Sequence, residues 1–179
     1  MSTTIASPLT VEQFSQLDLP PDREWELHSG EVVDMGHPSP RHRRLQRQIL
    51  HILERLFPDA DVLIEYPFSP GNLREVRSAD IGVAADRERA SETYLERAPD
   101  LVVEVLSPLN TVIALKEYRR LCLANGTKVF LTVDPNDRTV DVQLPKEKDS
   151  RTFIAGESFA ISPFGTAVAI AVDEIFAQM

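Results

Sequence analysis

Residues 99–118 read PDLVVEVLSPLNTVIALKEY. In the run from Leu101 to Leu106 the only polar side chain is Glu104, with Leu, Val and Val before it and Val and Leu after it. A strand apolar on both faces is normally central in a sheet and covered on both sides. A carboxylate in such a strand is costly unless something pairs with it. Glu104 is therefore a ligand-holding acid, the partner of a buried arginine, or a strand end that reaches solvent. Beyond the strand, helical spacing starts near Ser107-Pro108 or Asn110 and closes at Gly126, a suitable C-terminal cap. A buried strand running into a helix sets the fold: a mixed sheet packed by helices, α/β or α+β.

The neighbouring segments fit that core. DVLIEYPF (61–68), VRSADIGVAA (76–85), KVFLTVD (128–134) and TVDVQL (139–144) all read as strands, the last pair joined by an Asp-Pro-Asn-Asp turn. SPRHRRLQRQILHILERLFP (39–58) is a long helix, with Ser39 as N-cap, Pro40 as first residue and Pro58 as stop. Leu45, Ile49, Ile52, Leu53 and Leu56 form its buried stripe. Upstream, LTVEQFSQL predicts a short helix with a Thr10–Gln13 capping box and Phe14 and Leu17 on its apolar face. REWELHSGEVVDM predicts a hairpin turning at Ser29-Gly30, and DEIFAQM a last short helix. At 179 residues the chain reads as a single domain, 1–179.

Bulk properties narrow the function. The net charge of −9 argues against a protein that coats nucleic acid by electrostatics, but not against a nuclease, whose metal site needs carboxylates. One cysteine, Cys122, excludes an internal disulfide framework and a Cys-rich zinc site. No signal peptide and no apolar run long enough for a membrane helix is evident, so the expected address is the cytoplasm, with no membrane partner.

Asp80 is the natural partner of Glu104. It lies in SADIGVAA, on the same strand face as Gly82, where the missing side chain leaves room for a backbone or a ligand. Two acids from neighbouring strands can hold a hard cation such as Mg²⁺ through oxygen; the alternative for Asp80 is a solvated strand edge. Asp100 is a decoy, four residues and about 13 Å from Glu104 along the strand. Glu26 and Glu31 flank the hairpin turn, either extending the acidic cluster or facing solvent. His42 falls on the inward stripe of the long helix, either facing the acids or a phosphate, or sitting as a core histidine bonded to a carboxylate. Arg41, Arg43, Arg44 and Arg47 make that helix the clearest basic cluster, a solvated face or a set of phosphate contacts.

Several of these segments together resemble the Uma-two family of restriction-endonuclease-like proteins, within the PD-(D/E)xK nuclease superfamily. WELHSGEVVDM resembles its Glu-Leu-x-x-Gly-Glu hairpin, SPRH its Pro-Ser-Pro-x-His helix start, and VRSADIGV its Arg-x-Pro-Asp strand with Ala79 in place of proline. PDLVVEVLSP is the most specific match, and NGTKVFLTVDP matches in spacing without the family's aromatic pair. The resemblance implies a restriction-endonuclease-like core: a mixed central β-sheet flanked by helices, with an N-terminal helix and β-hairpin. It implies Mg²⁺- or Mn²⁺-dependent hydrolysis of nucleic-acid phosphodiesters, with DNA as the expected substrate and a homodimer as a possible assembly. Asp80, Glu104 and Val105 would then hold the metal, with Glu26 as third acid. His42, Arg41, Arg44 and Arg77 would contact substrate.

One departure counts against activity. The superfamily lysine two residues after the glutamate is Leu106 here, and the family's shifted lysine falls on Tyr118. Lys116 is two residues away, which on a regular helix turns its side chain by about 200°. The catalytic candidates are thus Asp80, Glu104, Glu26, Lys116 and Tyr118. The rival reading is a nuclease-fold protein that has lost catalysis and binds nucleic acid or protein. A small-molecule enzyme has no support, since no glycine-rich phosphate loop or Ser-His or Cys-His arrangement is evident.

Overall fold

The computed structural model describes residues 7–71, 74–85, 94–107, 111–177 and 179. Among the described residues, four helices and ten strands follow one another as α1 (Val11–Ser15), β1 (Glu24–His28), β2 (Glu31–Gly36), α2 (Pro40–Leu56), β3 (Asp61–Phe68), β4 (Arg77–Ala84), β5 (Leu101–Val105), α3 (Val112–Ala124), β6 (Val129–Asp134), β7 (Thr139–Gln143), β8 (Arg151–Phe153), β9 (Ser158–Ile161), β10 (Val168–Ala171) and α4 (Val172–Ile175). Six strands form the central sheet in the order β3-β4-β5-β6-β7-β8. Only β5 and β6 are parallel, and α3 is the crossover between them; the other pairs are antiparallel. This is the mixed α/β sheet expected from the sequence, with β5 and its Glu104 in the middle.

The two faces of the sheet make two cores. On one, Leu45, Ile49, Ile52 and Leu53 of α2 pack on Ile81, Val83, Leu101, Val103, Leu131 and Val133. On the other, Tyr118 and Cys122 of α3 pack on Val102 and Phe130, with Tyr66, Phe68 and Ala79. Along β5 the faces alternate with period two, so Glu104 shares the α3 side with Val102.

In β3 and β4 the alternation breaks. Val62 and Ile64 face α2, yet Tyr66 and Phe68 face α3; Ile81 and Val83 face α2, yet Ala79 faces α3. The pairing register does not slip, since Ile64↔Ile81 and Tyr66↔Ala79 flank the break. Between them stand Glu65, with φ 49°, and Asp80. A left-handed residue in a strand turns the chain without adding a residue, and the two strands rotate together there.

Both long helices begin on side-chain caps: Ser39 accepts from the His42 amide and Thr111 from the Ala114 amide. The start of α3 at Val112 is later than the sequence suggested; residues 108–110, including Pro108 and Asn110, lie outside the described residues. Helix α1 has the expected Thr10–Gln13 capping box but buries no residue, and Leu17 is exposed. The terminal helix is one turn, earlier than DEIFAQM implied, and β8 to β10 were not legible.

The hairpin β1-β2 docks on the sheet through Leu27 and Val76, which exchange backbone hydrogen bonds of 2.8 and 3.0 Å. Asp100, the decoy of the sequence, is engaged elsewhere: its buried carboxylate pairs with Arg97 and Lys128 at 2.8 and 3.1 Å and accepts from the Ala85 amide. Burial alone would raise its pKa, but these partners outweigh burial and hold it below the usual carboxylate range.

Candidate active site

At the break in β3 and β4 the sheet ladder gives way to side chains. The β4-β5 register runs Val83↔Leu101, Gly82↔Val102, Ile81↔Val103 and would next pair Asp80 with Glu104. There the two acids bond each other's strands: Glu104 Oε1 accepts from the Asp80 amide at 3.2 Å, and Asp80 Oδ2 from the Val105 amide at 2.7 Å. The expected Asp80–Glu104 pair is thus brought together, and Val105 joins it through its N–H.

Helix α2 supplies the other side. His42 Nε2 lies 3.1 Å from Asp80 Oδ1, and the Gln46 amide donates to Asp80 Oδ1 at 3.2 Å and to Glu65 Oε1 at 2.6 Å. Among the described residues, one group of candidate ligand atoms lies within 4.8 Å of one another: His42, Glu65 and Asp80. Glu65 Oε2 and Glu104 Oε2 accept no hydrogen bond from the described residues. A cavity of about 280 Å³ is lined by His42, Glu65, Asp80, Glu104 and Val105, with Trp25, Glu26 and Met35 of the hairpin as its opposite wall.

Crowded acids raise one another. Burial and the Asp80 charge push the Glu104 carboxyl well above its ordinary value, against the stabilising Asp80 N–H, with Glu26 and Glu65 adding to the push. Burial, then the Asp80 charge, brings Glu65 up to about 7, although the Gln46 bond opposes this. Burial would lower His42, but its bond to Asp80 and the charges of Asp80, Glu65 and Glu24 hold it above its usual value.

Glu26, expected as a third acid, borders the cavity and also ties the hairpin to β4. Its Oε1 accepts from the Ser78 amide at 2.8 Å, and its Oε2 is shared by Arg77 and His28. Glu75 holds the same hairpin through the Ser29 amide at 2.9 Å. Glu26 borders the cavity, but the third acid grouped with Asp80 is Glu65. Glu31 is exposed. Gly82 leaves no room for a ligand, because a Cβ there would lie 2.6 Å from Tyr66.

Tyr118 is buried, and its hydroxyl donates to the Ser78 carbonyl at 3.0 Å. Its ring packs between Phe68 and Phe130, with centroids 6.2 and 6.0 Å away, and the Arg77 guanidinium sits 5.2 Å above it. Tyr118, Arg77, Glu26 and Glu104 line a smaller cavity of about 110 Å³ beside the first. Burial raises the phenol far above its ordinary pKa, so it stays neutral. Lys116 is exposed and lines neither cavity. Arg41 is held by the Pro135 carbonyl at 2.6 Å and by Asn136, and Arg44 is exposed; neither lines a cavity wall around the acids.

Glu65 and Gln46 escaped the sequence reading. Gln46 had a visible signal, a polar residue four after His42 on an otherwise apolar stripe. Glu65 had none stronger than one acid in a strand, because its position depends on pairing with β4.

A sheet with paired acids at a break in its ladder, overlaid by a helix-borne histidine, is the layout expected of a restriction-endonuclease-like protein. The Uma-two family model, described as "Putative restriction endonuclease", matches residues 11–171, and the chain belongs to that family. Among solved structures it is similar to a "putative nuclease belonging to DUF820" from Anabaena variabilis, with a TM-score of 0.80 and 20% identity over 95% of this chain and 98% of the other. At that identity the likeness establishes the fold. No curated protein matches the chain.

Proposed function

We propose that the protein is a nuclease that hydrolyses phosphodiester bonds in DNA with Mg²⁺ or Mn²⁺. The observation that carries this reading is the interlocked pair at the sheet break, where Asp80 and Glu104 each bond the other's strand and still border a cavity. The donor set fits a hard divalent cation: carboxylate oxygens from Asp80, Glu104 and Glu65, with the His42 imidazole as a nitrogen ligand that Mn²⁺ also accepts. When bound, such a cation polarises the phosphoryl oxygen and lowers the pKa of the attacking water.

The chain's own groups do the rest. The Val105 backbone N–H and the Gln46 side-chain amide both donate to the Asp80 carboxylate, so one backbone and one side-chain donor fix it. In the metal-free site burial and the Asp80 charge bring the Glu65 carboxyl up to about 7, so binding a cation there would displace its proton. Glu26 holds the hairpin wall in place through Arg77 and Ser78. This reading carries with it a cytoplasmic protein acting as a homodimer, which fractionation and sedimentation test. Among the described residues no helix is long and apolar enough to cross a membrane.

The packing of Tyr118 supports a second reading, a catalytically silent binding module. A neutral phenol at the family's lysine position supplies no positive charge to the reacting phosphate. Cleavage of single- and double-stranded DNA with Mg²⁺ or Mn²⁺ separates the two. The nuclease reading expects metal-dependent cleavage by the wild type that falls to background in Glu104→Ala. Cleavage that survives this substitution sinks the site assignment. No cleavage by the wild type, with a gain in folded Tyr118→Lys, supports the binding module.

A further inference from the structure

We propose that Arg43 and Arg47 seat the phosphates of a nucleic-acid strand beside the acid cavity, and so steer the strand toward it. The inference rests on the nuclease reading but goes beyond it by assigning the strand's path. Both arginines are exposed on α2 and line a depression of about 210 Å³ that also includes Gln46 and Glu65. Glu65 lines the main cavity too, so the depression and the cavity share a wall. The two arginines are one helical turn apart, with about 6 Å of rise between them, and can each meet a different phosphate of one strand.

Two features together mark them: they line this depression and they form no ion pair, a lack that Arg44, Arg119 and Arg120 share among the described residues without lining it. Arg23, Arg55, Arg77, Arg97 and Arg151 all pair with carboxylates. Arg43 and Arg47 form no ion pair among the described residues, although Glu24 and Glu65 line the same depression. A concave surface carrying two unpaired guanidinium groups is suited to bidentate recognition of phosphate oxygens. The need for it follows from the whole molecule. With a net charge of −9 and an acid cluster at its centre, the protein repels a polyanion everywhere except where local cations offset the field. Of the four arginines that the sequence groups on this helix, Arg41 is engaged by Pro135 and Asn136, and Arg44 lies outside the depression, which leaves Arg43 and Arg47.

The test is binding of labelled single-stranded DNA, duplex DNA and single-stranded RNA over a salt series, with Ca²⁺ to neutralise the acids. Wild type is compared with the double variant Arg43→Ala/Arg47→Ala, with Arg43→Lys/Arg47→Lys, and with Arg151→Ala on the far edge strand as control. Losing two phosphate contacts should flatten the log–log salt dependence by about 1.8 for a duplex or about 1.4 for a single strand. The lysine variant should keep most of the slope, and Arg151→Ala all of it. The polymer that shows the change identifies the strand type. A wild-type slope in the double alanine variant, or no binding of any of the three by the wild type, overturns the proposal. Arginine-dependent binding without metal-dependent cleavage sinks the nuclease reading and leaves this one standing. Cleavage with an unchanged slope does the reverse.

Discussion

Glu65 holds a left-handed backbone conformation, φ 49°, inside β3. A non-glycine residue there costs on the order of 1–3 kcal/mol, and such strain tends to collect at functional sites. What it achieves here is to carry a carboxylate to within 4.8 Å of Asp80 and His42. The charge follows from that placement. A carboxyl raised from 4.5 to about 7 binds its proton more tightly in the folded than in the unfolded chain. Its contribution to stability is therefore full below about pH 4.5 and is lost as pH rises to about 7. In metal-free protein, Glu65→Gln keeps an oxygen for the Gln46 amide and removes the titration. Thermal melts should show this variant more stable than wild type at pH 8, with the gap closing toward pH 4.5. A gap independent of pH would show that Glu65 does not titrate in that window.

At the scale of elements, the site depends on how β3, β4 and β5 turn against one another. The face switch at Glu65 and Asp80 sends Tyr66 to the α3 side, where its ring covers Gly82. A methyl group at Gly82 would press on Tyr66 Cβ and Cγ at 2.6 and 2.7 Å, in the middle of a strand paired on both sides. Gly82→Ala should cost about 1–3 kcal/mol by denaturant titration, the usual range for overpacking. Gly82→Ala should cost less in a Tyr66→Gly background, which lacks both clashing atoms, and an equal cost in the two backgrounds would place the strain elsewhere. The glycine was visible in the sequence, but its meaning was not. The same strand face could take a ligand or a ring, and only the pairing partner decides which.

At the scale of the whole molecule, a cluster of acids between two cores weakens the fold through mutual repulsion, and the proposed metal site predicts that a divalent cation offsets it. Carboxylates must lose their protons to bind metal, so binding tightens as pH rises. With Mn²⁺ at a hundredfold excess over its Kd, linkage adds about 2.7 kcal/mol, or several degrees in Tm for a chain of this size. Scanning calorimetry should show that rise at pH 8, a smaller one at pH 5, and none in Asp80→Asn. An equal shift in Asp80→Asn would place the ion elsewhere. The one-dimensional pattern determined the hairpin, the two long helices and strands β3 to β7, that β5 is central, and that Glu104 and His42 lie on inward faces. Those are properties of period and polarity, carried by neighbours along the chain. Tertiary structure alone decided that Glu65 and Gln46 complete the acid cluster, that Glu26 braces the hairpin, and that Tyr118 is locked beneath Arg77. These depend on side chains from strands and helices far apart in sequence, and on a local rotation of β3 and β4 that leaves the pairing register unchanged.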